Sequence, residues 1–196
     1  NELFLDSKKM KINSAKKLKY KKSADVQDVE YSLKLKNFLP NASQTIIDVP
    51  IGEPMVSLTV SMGRMGQENV LLRKGEIKNV RGILFGFVKQ DSVDVNIVLD
   101  GDSYKIQSKL GIREMSMAAQ ESVSHNNNTL VALENMKIYQ ISGLSVVLDK
   151  ATKKGVLKAI NVDAQRQITG KSALVFELGY GNKTTELYLW RGQGFN

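Results

Sequence analysis

Apolar and polar residues alternate along most of the chain, which is the pattern of half-buried β-strands. Helical periodicity is nearly absent. Short alternating segments predict strands at 18–20, 31–35, 56–60, 93–97, 104–106 and 144–146. Many short strands separated by turns are typical of an antiparallel β-sandwich, with a barrel or a jelly roll as the alternatives. The sequence therefore predicts a mainly β fold.

Clusters of Pro, Gly, Asn and Asp between these segments predict turns. They occur at 40–41, 50–54, 63–66, 100–102, 153–155 and 181–182. The longest apolar runs, such as 83–88 and 173–176, are far shorter than the roughly 20 residues that a membrane-spanning helix needs. We therefore predict no transmembrane insertion.

One segment departs from the β pattern. Residues 113–120 contain good helix formers such as Glu114, Met115 and Ala118, and they predict at most one short helix. The polar, Asn-rich segment 122–129 that follows predicts a loop with a solvent-exposed His125. Because no nucleophile elbow or P-loop pattern accompanies this histidine, the sequence predicts a protein that is not an enzyme.

The end of the chain predicts a β-hairpin. Ala173 to Leu178 and Leu187 to Trp190 are short apolar runs, and Gly179 to Lys183 between them supplies turn chemistry. We expect Trp190 to anchor a core or an interface, since an indole buries a large apolar area.

The net charge of +8 is concentrated at the start of the chain. Residues 1–22 carry +6, because eight lysines stand against Glu2 and Asp6. A basic segment of this kind is either a solvated charged face or a contact for phosphates, and lysines predict contacts to a nucleic acid backbone rather than to bases. The candidate residues are Lys8, Lys9, Lys11, Lys16, Lys17, Lys19, Lys21 and Lys22.

Acidic residues around one predicted strand form a candidate metal site. Asp94, Asp100 and Asp102 could supply oxygen ligands to calcium, which needs six to eight of them, with help from Asn96 or backbone carbonyls. The competing interpretation is an ordinary turn, since Asp-Gly-Asp at 100–102 is a common turn sequence.

The closing hairpin, residues 172–195, resembles that of the TerD family of tellurium-resistance and stress proteins. The order Ser-Ala-Leu-Val-Phe, a Tyr and Asn turn, then Leu-Tyr-Leu-Trp and Gly-Gln-Gly-Phe carries this resemblance. Weaker similarity extends back to Val70-Leu-Leu-Arg-Lys-Gly75. The resemblance implies a β-sandwich that binds calcium near Asp94, with no established enzymatic reaction. Asn96 replaces the second acid of that family strand.

Two functional hypotheses follow. The first is a non-enzymatic β-sandwich module, related to the TerD-like proteins, that binds a protein partner or itself. The alternative is a viral or phage coat, tail or matrix-like protein whose basic N-terminal arm contacts nucleic acid and which self-assembles. Pairing of residues 1–22 as ordered strands would count against a free arm.

We predict a basic extension or partial β subdomain at 1–66 and a β-sandwich domain at 67–196. The lack of cysteine is compatible with a reducing, cytoplasmic location, and the virion is the alternative.

Overall fold

The computed structural model describes residues 21–26, 29–63, 66–88, 92–119, 121–163 and 171–191, and of 21–26 and 29 it describes the backbone. Within these ranges the chain forms fifteen strands. They are β1 Lys21–Val26, β2 Val29–Leu39, β3 Ala42–Ser61, β4 Gln67–Arg73, β5 Ile77–Val80, β6 Ile83–Gly86, β7 Val95–Asp100, β8 Ser103–Ser108, β9 Ile112–Ser116, β10 Ser122–His125, β11 Val131–Ala132, β12 Lys137–Ile141, β13 Leu144–Asn161, β14 Ala173–Tyr180 and β15 Lys183–Trp190.

The strands form three open sheets, which confirms the mainly β prediction. Their orders are β1-β2-β14-β15, β10-β9-β12-β13-β3-β4 and β11-β8-β7-β6-β5. β6 and β7 run parallel. Antiparallel pairing joins β1, β2, β14 and β15, the run β10-β9-β12-β13, β3 with β4, β5 with β6, and β7 with β8 and β8 with β11. No helix in the described part of the chain has the length and apolar character needed to cross a membrane.

The chain divides into two compact units, 1–45 with 158–196 (unit 1) and 46–157 (unit 2). This division differs from the predicted boundary near residue 66. The reason is that β2 pairs with β14, so the start and the end of the chain share one sheet. Long strands β3 and β13 each contribute residues to both units.

Unit 2 contains the main hydrophobic core, arranged as a β-sandwich. Alternate residues of the six-stranded sheet, such as Leu58 and Tyr139, pack with residues of the five-stranded sheet, such as Phe85, Ile97 and Ile106. These five side chains are fully buried. Burial of one face of each sheet explains the alternating sequence pattern.

Unit 1 contains a smaller cluster on one face of its four-stranded sheet. Leu39, Ala42, Ala173 and Val175 are buried there, and Trp190 packs against them. The predicted hairpin is confirmed, because β14 and β15 pair from Ala173 with Trp190 to Tyr180 with Lys183. The expected role of Trp190 as a core anchor is also confirmed.

The prediction of at most one short helix near 113–120 is confirmed, and no helix forms in the described part of that segment. Residues 112–116 form β9, and a turn follows at 117–119. Helix propensity is a weak preference, and here strand pairing overrides it, since β9 lies between β10 and β12. The predicted loop at 122–129 is wrong at its start for the same reason, because residues 122–125 form β10.

Two predicted turns, 50–54 and 153–155, lie inside β3 and β13 instead. Pro50 is tolerated because β4 pairs with β3 only from Met55 onward, so a missing N–H at Pro50 leaves that ladder intact. The glycines allow a close approach of the two strands. A Cβ atom on Gly52 would lie 2.7 Å from the carbonyl oxygen of Gly155.

Candidate functional site

The structure does not bring the three predicted calcium ligands together. Asp94 precedes β7 and Asp100 ends it, so about 20 Å of strand separates them at roughly 3.3 Å per residue. Asp100 and Asp102 flank a tight turn at Gly101, where the backbone has a positive φ of 58°. The described residues therefore do not group Asp94, Asp100 and Asp102 into one set of ligands, and calcium binding stays a prediction.

Both carboxylates at this turn form ion pairs with lysines. Lys105 Nζ lies 2.6 Å from Asp100 Oδ2, and Lys153 Nζ pairs with Asp102 Oδ1. The hydrogen bond from Lys105 holds the pKa of the Asp100 carboxyl below its usual value. A cation at this turn would have to displace these ammonium groups.

Asp94 holds two strands in register. Its Oδ2 accepts a hydrogen bond from the backbone N–H of Leu84 at 2.9 Å, and its own N–H donates to the Leu84 carbonyl at 3.0 Å. Nearby, the buried Asn96 side chain donates to the Val88 carbonyl and accepts from its N–H. These contacts reproduce a backbone pairing pattern, so both side chains serve the junction of β6 and β7.

A cluster of charged side chains links the edge strand β10 to its neighbours in the six-stranded sheet of unit 2. His125 Nε2 lies 3.0 Å from Glu114 Oε2, and Lys137 Nζ lies 2.5 Å from Glu114 Oε1. Lys137 also pairs with Glu134 at 2.8 Å. The side chain of His125 is only 23% exposed, so the expectation of a solvent-exposed histidine is wrong.

Opposing effects set the protonation of this cluster. Burial alone would raise the pKa of the Glu114 carboxyl, but hydrogen bonds from Lys137 and His125 outweigh it and hold that pKa below its usual 4.5. Hydrogen bonds to Glu114 and Glu134 raise the pKa of Lys137. The Glu114 carboxylate and the Lys137 ammonium group thus each stabilise the charged form of the other.

The cluster lacks the geometry of a nucleophilic site. Ser122 and Ser124 alternate with His125 along β10 and therefore lie on the opposite face of the sheet. The Ser122 hydroxyl contacts Arg113, at 3.2 Å, on that face. The contacts of the charged groups themselves link β10 to β9 and β9 to β12.

Replacement of Glu114 by Gln is expected to lower the free energy of unfolding by about 1–3 kcal/mol at pH 7, since Lys137 loses a carboxylate partner and His125 loses its contact with that carboxylate. The pKa of Glu114 is lowered in the folded state, so this contribution is fully present above the unfolded pKa and is lost as the pH falls through the folded one. The difference between wild type and variant should shrink below about pH 4. Urea titrations from pH 7 to 3 check this.

Glu68→Gln is the matched control, because Glu68 is exposed on β4. A pH-independent cost of Glu114→Gln, or an equal cost for both variants, would contradict the role assigned to the cluster.

The predicted basic residues lie mostly outside the described part of the chain. Lys8, Lys9, Lys11, Lys16, Lys17 and Lys19 fall there, whereas Lys21 and Lys22 lie in β1. In β1 they pair along the backbone with Lys34 and Leu33 of β2. The last two lysines of the basic segment are therefore part of the four-stranded sheet and not of a free arm.

The division into units concentrates positive charge. Unit 1 holds fifteen basic and eight acidic residues and carries +7, whereas unit 2 holds thirteen basic and twelve acidic residues and carries +1. Unit 1 combines basic residues near the chain end, such as Lys171, Lys183 and Arg191, with those near its start.

Two exposed tyrosines meet on the four-stranded sheet of unit 1. Tyr31 of β2 and Tyr180 of β14 are cross-strand partners, with ring centroids 6.5 Å apart and planes inclined by 22°. Their exposures are 37% and 38%. Sequence reasoning missed this pair, because 149 residues separate them and only strand order brings them together.

Comparisons with known protein families, with curated proteins and with solved structures return no match. The chemistry of unit 1 therefore carries the functional argument.

Proposed function

We propose that this chain is a non-enzymatic β-sandwich binding module that contacts the phosphate backbone of nucleic acid through unit 1. The observation that carries the proposal is the partition of charge, +7 on unit 1 against +1 on unit 2. A strongly basic surface attracts a polyanion and releases its condensed counterions, which supplies affinity without any sequence readout.

The sheet of unit 1 supports this proposal. Residues 33–36 of β2 alternate apolar side chains with lysines, and Lys34 and Lys183 are exposed. The acidic side chains of the hairpin are largely neutralised, since Lys36 pairs with Glu177 at 3.0 Å and Lys158 with Glu186 at 3.5 Å. Lysine-rich surfaces of this kind hold backbones and leave bases unread.

Neutralising lysines in the basic segment is expected to weaken nucleic acid binding. The variant Lys8→Gln, Lys9→Gln, Lys11→Gln should lose about tenfold in affinity at about 50 mM salt and show a salt slope smaller by about 2. Fluorescence anisotropy of a labelled oligonucleotide at two salt concentrations measures both quantities.

The matched control removes three lysines from unit 2, namely Lys74→Gln, Lys78→Gln, Lys154→Gln. It changes the net charge equally but leaves unit 1 intact. Equal loss in both triple variants would show that only the overall charge matters, and absence of binding by the wild type would overturn the proposal.

A calcium-binding module related to the TerD-like stress proteins is the second candidate, because the closing hairpin lies at the residues that carry that resemblance. The two candidates differ in ligand. Light scattering with and without calcium and nucleic acid separates them: a monomer that responds to calcium and ignores nucleic acid supports the TerD-like candidate. A large assembly would support the alternative of a structural protein of a virion.

A further inference from the structure

We propose that one face of the four-stranded sheet of unit 1 stacks the bases of single-stranded nucleic acid on Tyr31 and Tyr180. This inference rests on the proposed function and names its partner more narrowly. Base stacking on exposed aromatic rings is the usual way in which sheet surfaces hold single strands without reading their sequence.

The two tyrosines lie on the sheet face opposite the small core of unit 1. Ala173 and Val175 of β14 belong to that core, and alternation along β14 turns Tyr180 to the other side. A β-bulge in β2, opposite Val175 and Phe176, brings Tyr31 to the same side as its partner Tyr180. The cross-strand pair Leu35 and Phe176 also lies on this side and is buried, so the accessible part of the face is its tyrosine end. Burial in that core therefore does not account for the two rings. Each keeps more than a third of its surface accessible, which leaves ring area for a base.

Charge on this face favours a polyanion. Lys183 of β15 is exposed and lies directly opposite Tyr180 in the ladder, so an ammonium group stands beside the ring pair. By contrast, Glu177 and Glu186 form a cross-strand pair that lies on the same face of the sheet as the small core. Among the described side chains of β2, β14 and β15, every acidic residue lies on the core face and none lies on the tyrosine face.

The tyrosines and Lys183 together provide what a single strand requires. The rings offer flat apolar surfaces to unpaired bases, and the ammonium group contacts the adjacent phosphate. A duplex keeps its bases stacked inside and can use only the phosphate contact. The arrangement therefore predicts preference for single strands over duplexes of equal length.

Two double variants in the full chain test the inference. Tyr31→Leu with Tyr180→Leu keeps an apolar side chain on the sheet but removes the flat ring, and Tyr31→Phe with Tyr180→Phe keeps the ring. The leucine variant should bind a labelled oligothymidine at least about tenfold more weakly, whereas its duplex affinity should change little. The phenylalanine variant should retain single-strand binding.

Ile77→Ala serves as the control for an exposed apolar residue of unit 2, where 48% of Ile77 is accessible. Thermal unfolding of each variant confirms that it folds. The stacking inference is overturned if the leucine variant binds oligothymidine like wild type, or if it loses single-strand and duplex binding equally. Failure of the wild type to bind either probe would instead overturn the proposed function itself.

Discussion

Phe85→Ala is expected to lower the free energy of unfolding by about 3–5 kcal/mol. Phe85 is fully buried in the core of unit 2, on β6 between β5 and β7. Truncation removes apolar area from the core and leaves a cavity that the surrounding strands cannot fully close. Urea denaturation monitored by far-UV circular dichroism measures this loss.

Ile77→Ala on the neighbouring strand β5 is the control, because Ile77 is 48% exposed. Its cost should stay within about 1 kcal/mol. Similar costs for the two variants would contradict the position of the core between the six-stranded and the five-stranded sheet.

Gly52→Ala is expected to lower the free energy of unfolding by about 3 kcal/mol, at the upper end of overpacking effects. The new methyl group would lie 2.7 Å from the Gly155 carbonyl oxygen and 2.8 Å from the Lys154 carbonyl carbon. Both are backbone atoms and cannot rotate away, so the strands themselves would have to separate. Thermal and urea unfolding of the variant check the prediction.

Lys154→Ala is the matched control at the same place, since its exposed side chain can be shortened without a clash. It should leave stability nearly unchanged. A Gly52→Ala protein as stable as wild type would show that β3 and β13 do not approach each other this closely.

The two proposals assign unit 1 two kinds of contact with one ligand. In the proposed function, long-range attraction by lysines would bring a polyanion to the surface, and in the further inference short-range stacking would then favour unpaired bases. Unit 2 has almost no net charge and a large buried core, which suits a scaffold. The ion-pair cluster around Glu114 strengthens that scaffold at its edge strand.

The local sequence predicted the secondary structure well where two strands that follow each other in the chain pair with each other. The hairpin of β14 and β15 is such a case, because its turn residues and apolar runs lie within one short segment. The segment around Glu114 is the opposite case. Its helix formers became β9, since pairing with β10 and β12 stabilises the strand more than local propensity favours a helix.

The candidate sites show the same contrast. Asp94 and Asp100 looked like neighbours because six positions separate them in the sequence, but an extended strand carries them to opposite ends. Tyr31 and Tyr180 looked unrelated and are cross-strand partners. Distance along the chain is a poor guide to proximity in a sheet whose strands are not sequential neighbours.

The amino-acid pattern alone was enough to predict a mainly β protein that ends in a hairpin and begins with a strongly basic segment. Those properties follow from residue alternation, turn residues and composition, which act locally. Which strands pair depends on contacts between distant parts of the chain and is seen in the folded protein. The pairing of β2 with β14 joins the two chain ends into one basic unit and places two distant tyrosines side by side.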